Sequence, residues 1–387
     1  MNSNRDDMSF LVFSDDWGEH PSSCQHLFWR ISKEHKVLWV NTIGMRNPKP
    51  ALSDFEKAIS KVRKMFQGHD LSGKSVPGEG VIACQPAMLP FIRLPLVRRI
   101  NRSSVIKSVR SNLSRLDMRG PILVTTVPNA CDYIGKCGES RVVYYCVDDF
   151  AEWPGLDNKK IREMEEELIQ KSDVSIATSH KLYEKLSRSG RPAYLLTHGV
   201  DLEFFRQTVA REHALLDPVS KPRVGYFGLF DERSDHGLLA EVAARMPDVS
   251  FVITGRVESD VLRQKKVRNV HFTGSVPYME LPAMVRGWDV LMLPYVMNDL
   301  TDAISPLKLK EYLAVGKPVV STPIPEVLKL KEYVFIAETA EEWEKTLRIC
   351  LNSPDDRKPK PGEDFWGNET WDKKAEQFLR MCGIRGE

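Results

Sequence analysis

The chain has 387 residues, more than one hydrophobic core usually serves, so two domains of near-equal size are expected. Its 55 Lys and Arg against 53 Asp and Glu leave a net charge of +2, which argues against a dedicated nucleic-acid binder, and 42% hydrophobic residues is ordinary for a soluble α/β protein. Seven cysteines without Cys-x-x-Cys spacing exclude a zinc ribbon and read as reduced.

The opening Met1-Asn2-Ser3-Asn4-Arg5-Asp6-Asp7 is too polar for a signal peptide. No apolar run approaches the roughly 20 residues that span a bilayer, so a cytoplasmic protein is expected. Apolar runs alternating with helical stretches predict parallel strands at Phe10 to Ser14, Lys36 to Thr42, Val81 to Gln85, Pro121 to Val127, Arg141 to Val147, Val174 to Thr178 and Tyr194 to Thr197. Gln67 to Gly80, rich in Gly, Ser and charge, reads as a loop. Its Gly78-Glu79-Gly80 fits a dinucleotide fingerprint only nominally, because a strand follows where a helix is required.

In parallel sheets ligands bind beyond the carboxyl ends of strands, so the loops there are the places to look for chemistry. After the first strand, Asp15 to His26 is a polar loop entering a helix, whose Asp16, Ser22, Ser23 and His26 could meet an acceptor or phosphate. A capping turn at Ser22 or Ser23 with a helix-face His26 explains the same residues. From Phe91 to Arg119, eight Arg and Lys face a single acid, Asp117, with aliphatic residues interleaved. That pattern predicts a basic amphipathic helix suited to anionic lipid, or else a core helix with a solvated basic face. Asp148-Asp149 closes the strand Val142 to Val147. Burial and mutual repulsion of such a pair would raise one pKa, as suits a general base, unless one of the two is a helix cap.

A Gly-containing turn at His198-Gly199-Val200-Asp201 opens a polar linker that ends at Lys221-Pro222. The next informative segment is Ser305 to Ser321. Ser305 reads as N-cap and Pro306 as N1 of a helix that ends at Gly316 and feeds the buried strand Pro318 to Ser321. First-turn amides, the positive end of the helix and Lys308 suit a diphosphate, while Glu311 on the same face suits ribose hydroxyls. A capped core helix with solvated charges accounts for the same pattern.

Ser305 to Ser321 resembles the donor-site motif of GT-B glycosyltransferases, in the form found in bacterial exopolysaccharide and cell-wall polysaccharide enzymes. Arg223 to Gly228 with Asp235, Phe251 to Arg256, Asn269 to Gly274 and Trp288 to Tyr295 follow in that family's order, so the resemblance covers most of residues 222 to 340. Two departures stand out. Where retaining members have a Glu-x7-Glu pair, Glu311 matches the second acid but Ala303 stands at the first, with Asp302 beside it. Where many members place Arg and Lys after the opening Gly, this chain has Leu229 and Ser234, and Arg233 and Arg256 are the nearest substitutes.

The resemblance implies two Rossmann-like domains facing across a cleft. Residues 1–200, with a C-terminal helix in 369–387 crossing back, would bind the acceptor, and residues 201–368 would bind a nucleotide-sugar, UDP-linked. It further implies a donor site at Gly228, Arg233, Arg256, Gly274, Ser275, Val276, Tyr295, Ser305, Pro306, Leu307, Lys308 and Glu311, with Asp148 or Asp149 as base for an inverting transfer. The acceptor would be a lipid-linked saccharide in polysaccharide assembly, met at the inner membrane surface through 91–119. No Asp-x-Asp motif appears, so no metal or other cofactor is expected, and no nucleic acid. The competing expectation is a non-catalytic relative that binds nucleotide and serves as a partner subunit at the membrane.

Overall fold

The computed structural model describes residues 8–18, 21–42, 80–89, 94–258, 267–352 and 358–384. Of the expected loop Gln67 to Gly80, all but Gly80 lies outside the described residues, as do Glu19 and His20 of the polar loop and Phe91 to Arg93 of the basic stretch. The chain folds into two units, residues 1–197 with 371–387, and residues 198–370.

Among the described residues the first unit holds seven parallel strands: β1 (Ser9–Ser14), β2 (Lys36–Asn41), β3 (Val81–Cys84), β4 (Ile122–Thr125), β5 (Arg141–Cys146), β6 (Val174–Ala177) and β7 (Ala193–Leu195). Each apolar run named above supplies one of them. Their order is β3-β2-β1-β4-β5-β6-β7, with Phe10 opposite both Val37 and Ile122. β1 is buried at all six positions, as a strand covered on both faces must be. Helices α1 (Ser23–Ile31), α2 (Pro95–Arg115), α3 (Asn158–Lys171) and α4 (His180–Ser187) belong to this unit. So does the C-terminal helix Trp371–Met381, whose Phe378 packs edge-on against Phe28 of α1 at 5.7 Å and Tyr145 of β5 at 5.6 Å.

Among the described residues the second unit holds six parallel strands: β8 (Arg223–Phe227), β9 (Ser250–Thr254), β10 (Val270–Gly274), β11 (Val290–Leu293), β12 (Val319–Ser321) and β13 (Phe335–Ile336), in the order β10-β9-β8-β11-β12-β13. Its helices include α5 (Leu202–Arg206), α6 (His236–Arg245), α7 (Leu281–Arg286), α8 (Asp299–Ala303) and α9 (Leu307–Val315). A continuous core runs from Val224 and Phe251 through Trp288 and Leu291 to Tyr312 and Trp343. Both sheets are doubly wound. The strand order reverses between β1 and β4 in one and between β8 and β11 in the other, and crevices form at such switch points. Among the described residues no helix is long and apolar enough to cross a membrane.

Candidate functional site

At the switch point of the second unit, the loop after β8 is stitched to the loop after β11. Asp235 N–H donates to the Pro294 carbonyl at 2.6 Å, Val296 N–H to the Arg233 carbonyl at 2.9 Å, and Ser234 bridges Tyr295. Gly228 leaves β8 with φ 114°, and a Cβ there would lie 2.3 Å from Lys308 Cε. Gly255 leaves β9 with φ 136°, and a Cβ there would lie 2.1 Å from the Gly228 carbonyl oxygen. Both positions therefore need glycine, for conformation and for space. The result is a backbone floor across two strand ends with the Lys308 side chain laid over it.

Lys308 comes from the first turn of α9, and its Nζ lies 5.1 Å from the centroid of the Tyr226 ring. Such placement over an aromatic face holds a cation without neutralising it. Helix α9 begins one residue later than the sequence suggests: Pro306, not Ser305, takes the N-cap position, and no side chain caps the first turn. A proline has no side-chain acceptor to offer the first-turn amides, which leaves them directed at whatever precedes the helix. Gly316 ends α9 in the left-handed conformation with φ 74°, as expected.

One turn after Lys308, Glu311 is 8% exposed. Burial pushes its pKa up to about 7; Lys308 opposes the rise and Asp201, at the start of α5, adds to it. α5 packs on α9, and the Tyr312 hydroxyl accepts the Phe227 N–H at 3.0 Å, so α9 is fixed against the end of β8. On another side of α9, Lys310 donates to the His198 carbonyl at 2.5 Å and pairs with Glu369.

The other expected donor residues divide. Tyr295 is buried, which pushes its hydroxyl up to about 12, and Lys308 acts on it in the opposite sense. Arg233 is already gripped by the buried Asp231 carboxylate at 2.8 Å, and Arg256 by Glu258 at 2.6 Å. Neither is the bare cation that the sequence suggests, and among the described residues Lys308 makes no ion pair. The Asp231, Glu232 and Glu258 carboxylates gather within 4.8 Å of one another, with two arginines on them. Gly274 ends the edge strand β10 and Ser275 and Val276 follow it, two strands from β8 and so about 10 Å across the sheet. Gly274 and Ser275 are exposed there.

In the first unit Ser22 caps α1, accepting from Gln25 N–H at 3.4 Å, and Ser23 is buried in its first turn. His26 stacks on Trp371 at 4.8 Å with the rings 5° from parallel, and burial, with Arg30 beside it, lowers its pKa to about 3. That makes it a neutral packing residue. Asp16 contributes its carbonyl, which accepts from Gln25 Nε2 at 3.2 Å. The organised carboxylate of this loop is its neighbour Asp15, which takes Ser14 at 2.7 Å, Ser22 at 3.2 Å and Gln25 at 3.0 Å. Sequence offers no reason to prefer it, since both acids follow the same strand.

After β5 the expected clash of carboxylates is replaced by pairing with a cation. Asp149 sits 3.0 Å from Lys185 of α4, and Lys185 also lies 2.6 Å from Glu165, which is 1% exposed and accepts the Tyr144 hydroxyl at 2.8 Å. Burial works against the Lys185 charge, yet Glu165 and Asp149 outweigh it and its pKa is raised. Asp149 also opens a short 3-10 turn, its carbonyl accepting Glu152 N–H at 3.0 Å, without a side-chain cap. Asp148 is half-buried beside it. Lys185 and Glu165 lie 36 and 16 residues from Asp149 in sequence, too far for local pattern to link them.

Residues 221–353 match the family model described as Glycosyl transferases group 1. The Bacillus subtilis (strain 168) protein TuaH, described as a teichuronic acid biosynthesis glycosyltransferase, is 31% identical over 213 residues, which cover 50% of this chain and 54% of that one. The match thus spans about half the length of this relative. Sucrose-phosphate synthase from Thermosynechococcus elongatus superimposes with a TM-score of 0.73 at 15% identity over 96% of this chain and 98% of its own. An E. coli structure titled as trehalose-6-phosphate bound with UDP-2-fluoro glucose gives 0.66 at 12% identity over 98% and 100%. With two Rossmann-like parallel-sheet units, the second matching the group 1 glycosyl transferase model over residues 221–353, the chain has the GT-B fold and resembles bacterial cell-wall polysaccharide glycosyltransferases.

Proposed function

We propose that this protein is a glycosyltransferase that moves a sugar from a nucleotide-sugar, UDP-linked, to a lipid-linked saccharide in cell-wall polysaccharide assembly, working in the cytoplasm at the inner membrane surface. The observation that carries the donor half is the placement of Lys308 and Glu311 one turn apart, at the uncapped start of α9, with Lys308 over the glycine floor of β8. Lys308 and the first-turn amides of Leu307 and Lys308 receive the diphosphate, Glu311 the ribose and the Gly274-Ser275-Val276 backbone the base. Cationic and helix-terminal groups stabilise the leaving diphosphate in place of a metal. Asp148 or Asp149 takes the proton from the acceptor hydroxyl in an inverting displacement.

Thermal unfolding with UDP-, GDP- and dTDP-sugars tests this, because a ligand that binds only the native state raises its melting temperature. A rise with a UDP-sugar alone is expected, and no rise with any nucleotide-sugar would remove the reading. A second reading, a nucleotide-binding partner subunit without catalysis, is favoured by Ala303 at the end of α8, where retaining relatives carry Glu. Slow hydrolysis of the donor without acceptor would exclude it.

A further inference from the structure

One end of α2 has no place in the core of its own unit. Asn101, Val105, Val109 and Leu113, four residues apart, form the buried stripe, and Asn101 is bonded to the Leu89 N–H at 2.7 Å and carbonyl at 2.8 Å. At 3.6 residues per turn, Leu96 and Ile100 stand on the opposite face. They are 68% and 46% exposed, and Leu94, just before the helix, is 55% exposed. The stretch is therefore not the single amphipathic surface that its sequence pattern suggests. Val105, Val109 and Leu113 are consumed by the core and Ile106 is half-buried, so the exposed aliphatic side chains of the stretch lie in its first two turns.

Charge is arranged around that tip. Helix α2 contains no acidic residue. Arg98 is committed to Asp132 at 2.6 Å and Arg110 to the Lys136 carbonyl at 2.9 Å. Arg99 and Lys107 are exposed and Arg102 is half-buried. Lys107 shares the outward face of Ile100, about 10 Å further along the helix axis. The outward face thus runs from aliphatic to cationic, and it carries none of the aromatic anchors typical of protein interfaces. An anionic lipid surface presents the complement, phosphates above acyl chains.

We propose that unit 1 rests on anionic lipid through the first turns of α2, with Leu94, Leu96 and Ile100 entering the boundary between headgroups and acyl chains while Arg99, Arg102 and Lys107 meet the lipid phosphates. This rests on the reading of the acceptor as lipid-linked, and it adds an inserted apolar tip to electrostatic attraction.

Flotation of the full chain with vesicles of phosphatidylcholine, alone or mixed with phosphatidylglycerol, tests it. Binding to the anionic vesicles alone, weakening as salt rises, is expected. Leu96→Ser with Ile100→Ser should lower partition by about tenfold, since interfacial binding scales with buried apolar area. Arg99→Gln with Lys107→Gln should lower it by roughly tenfold or more. Leu96→Met with Ile100→Val should retain it. Each substituted side chain faces solvent, so urea midpoints should match the wild type. Unchanged binding of the double-serine variant, equal binding to neutral vesicles, or no binding at all would each overturn the proposal. So would a concentration-dependent dimer that the double-serine variant abolishes without any vesicle binding. UDP-sugar melting shifts measured on the same samples separate the two readings: a shift without vesicle binding sinks this one and leaves the transferase, and vesicle binding without a shift does the reverse.

Discussion

The Lys308 side chain occupies the space that any side chain at position 228 would need, its Cε 2.3 Å from where a Gly228 Cβ would stand. Gly228→Ala therefore meets two penalties, a φ of 114° that L residues rarely adopt and displacement of the lysine. A loss of about 1–3 kcal/mol in urea denaturation is expected, together with weaker UDP binding. Lys308→Ala should separate the effects: it removes the cation from Tyr226 but leaves the backbone intact. UDP affinity should fall by about 1.5–3 kcal/mol, the range for a hydrogen bond to a charged group, with little change in stability. Calorimetry that finds UDP affinity unchanged would take Lys308 out of the site.

Glu311 gives the site a pH dependence whose sign is fixed by burial. Its pKa rises from 4.5 to about 7 on folding, so the native protein keeps a proton that the unfolded chain gives up. Stability from this group is full below the unfolded value and declines as pH rises through the folded one, by roughly 3 kcal/mol in all. Glu311→Gln keeps the shape without the titration. Urea midpoints at a series of pH values should therefore show a flatter profile for the variant, which should be the more stable protein at about pH 8, above the folded value. Parallel profiles would mean that Glu311 does not titrate in this window. UDP affinity of the wild type should rise over the same range, because an ionised carboxylate accepts ribose hydroxyls better than an acid does.

Lys185 joins Asp149 to the fully buried Glu165, and the order of damage on breaking that link can be stated. Lys185→Met leaves Glu165 without its cation and should cost about 3–5 kcal/mol in urea denaturation. Adding Glu165→Gln should recover part of that loss, because the stranded charge is gone. A double variant no better than Lys185→Met alone would mean that packing, not charge, dominates there.

Inner strands such as β1, β4 and β6 are legible in the sequence because each is a short continuous apolar run buried throughout, whereas the two-residue edge strand β13 is half-buried and leaves no such run. Helix α9 is legible from Pro306, Gly316 and the charges between them, though its start lies one residue later than the sequence suggests because Ser305 is by chemistry the better cap than a proline. What local pattern does not supply is the partner of each charge. Arg233 and Arg256 read as diphosphate cations, whereas the fold places Asp231 and Glu258 on them. Helix α2 is ambiguous for a related reason: alternation of Arg with aliphatic residues does not say which aliphatic face meets the core. The same holds at Asp148-Asp149, since the lysine that compensates Asp149 arrives from another helix.

The stereochemistry of transfer is the widest question, and Ala303 and the Asp148-Asp149 loop bear on it from different units. Retaining members with the Glu-x7-Glu pair carry an acid where this chain has Ala303, which offers no carboxylate. Direct displacement needs only a base on the acceptor side, in reach of the attacking hydroxyl. Asp148→Asn and Asp149→Asn should each leave UDP-sugar binding close to wild type. The one that replaces the base should lower turnover about 10²–10⁴-fold, the usual contribution of general base catalysis. Asp149→Asn should in addition lower stability, because Lys185 then loses one of its two carboxylates. The measurement that decides is the anomeric configuration of the product by NMR, with inversion expected. Retention would end the displacement mechanism even with one aspartate essential, and would turn attention to Asp302, the acid beside Ala303.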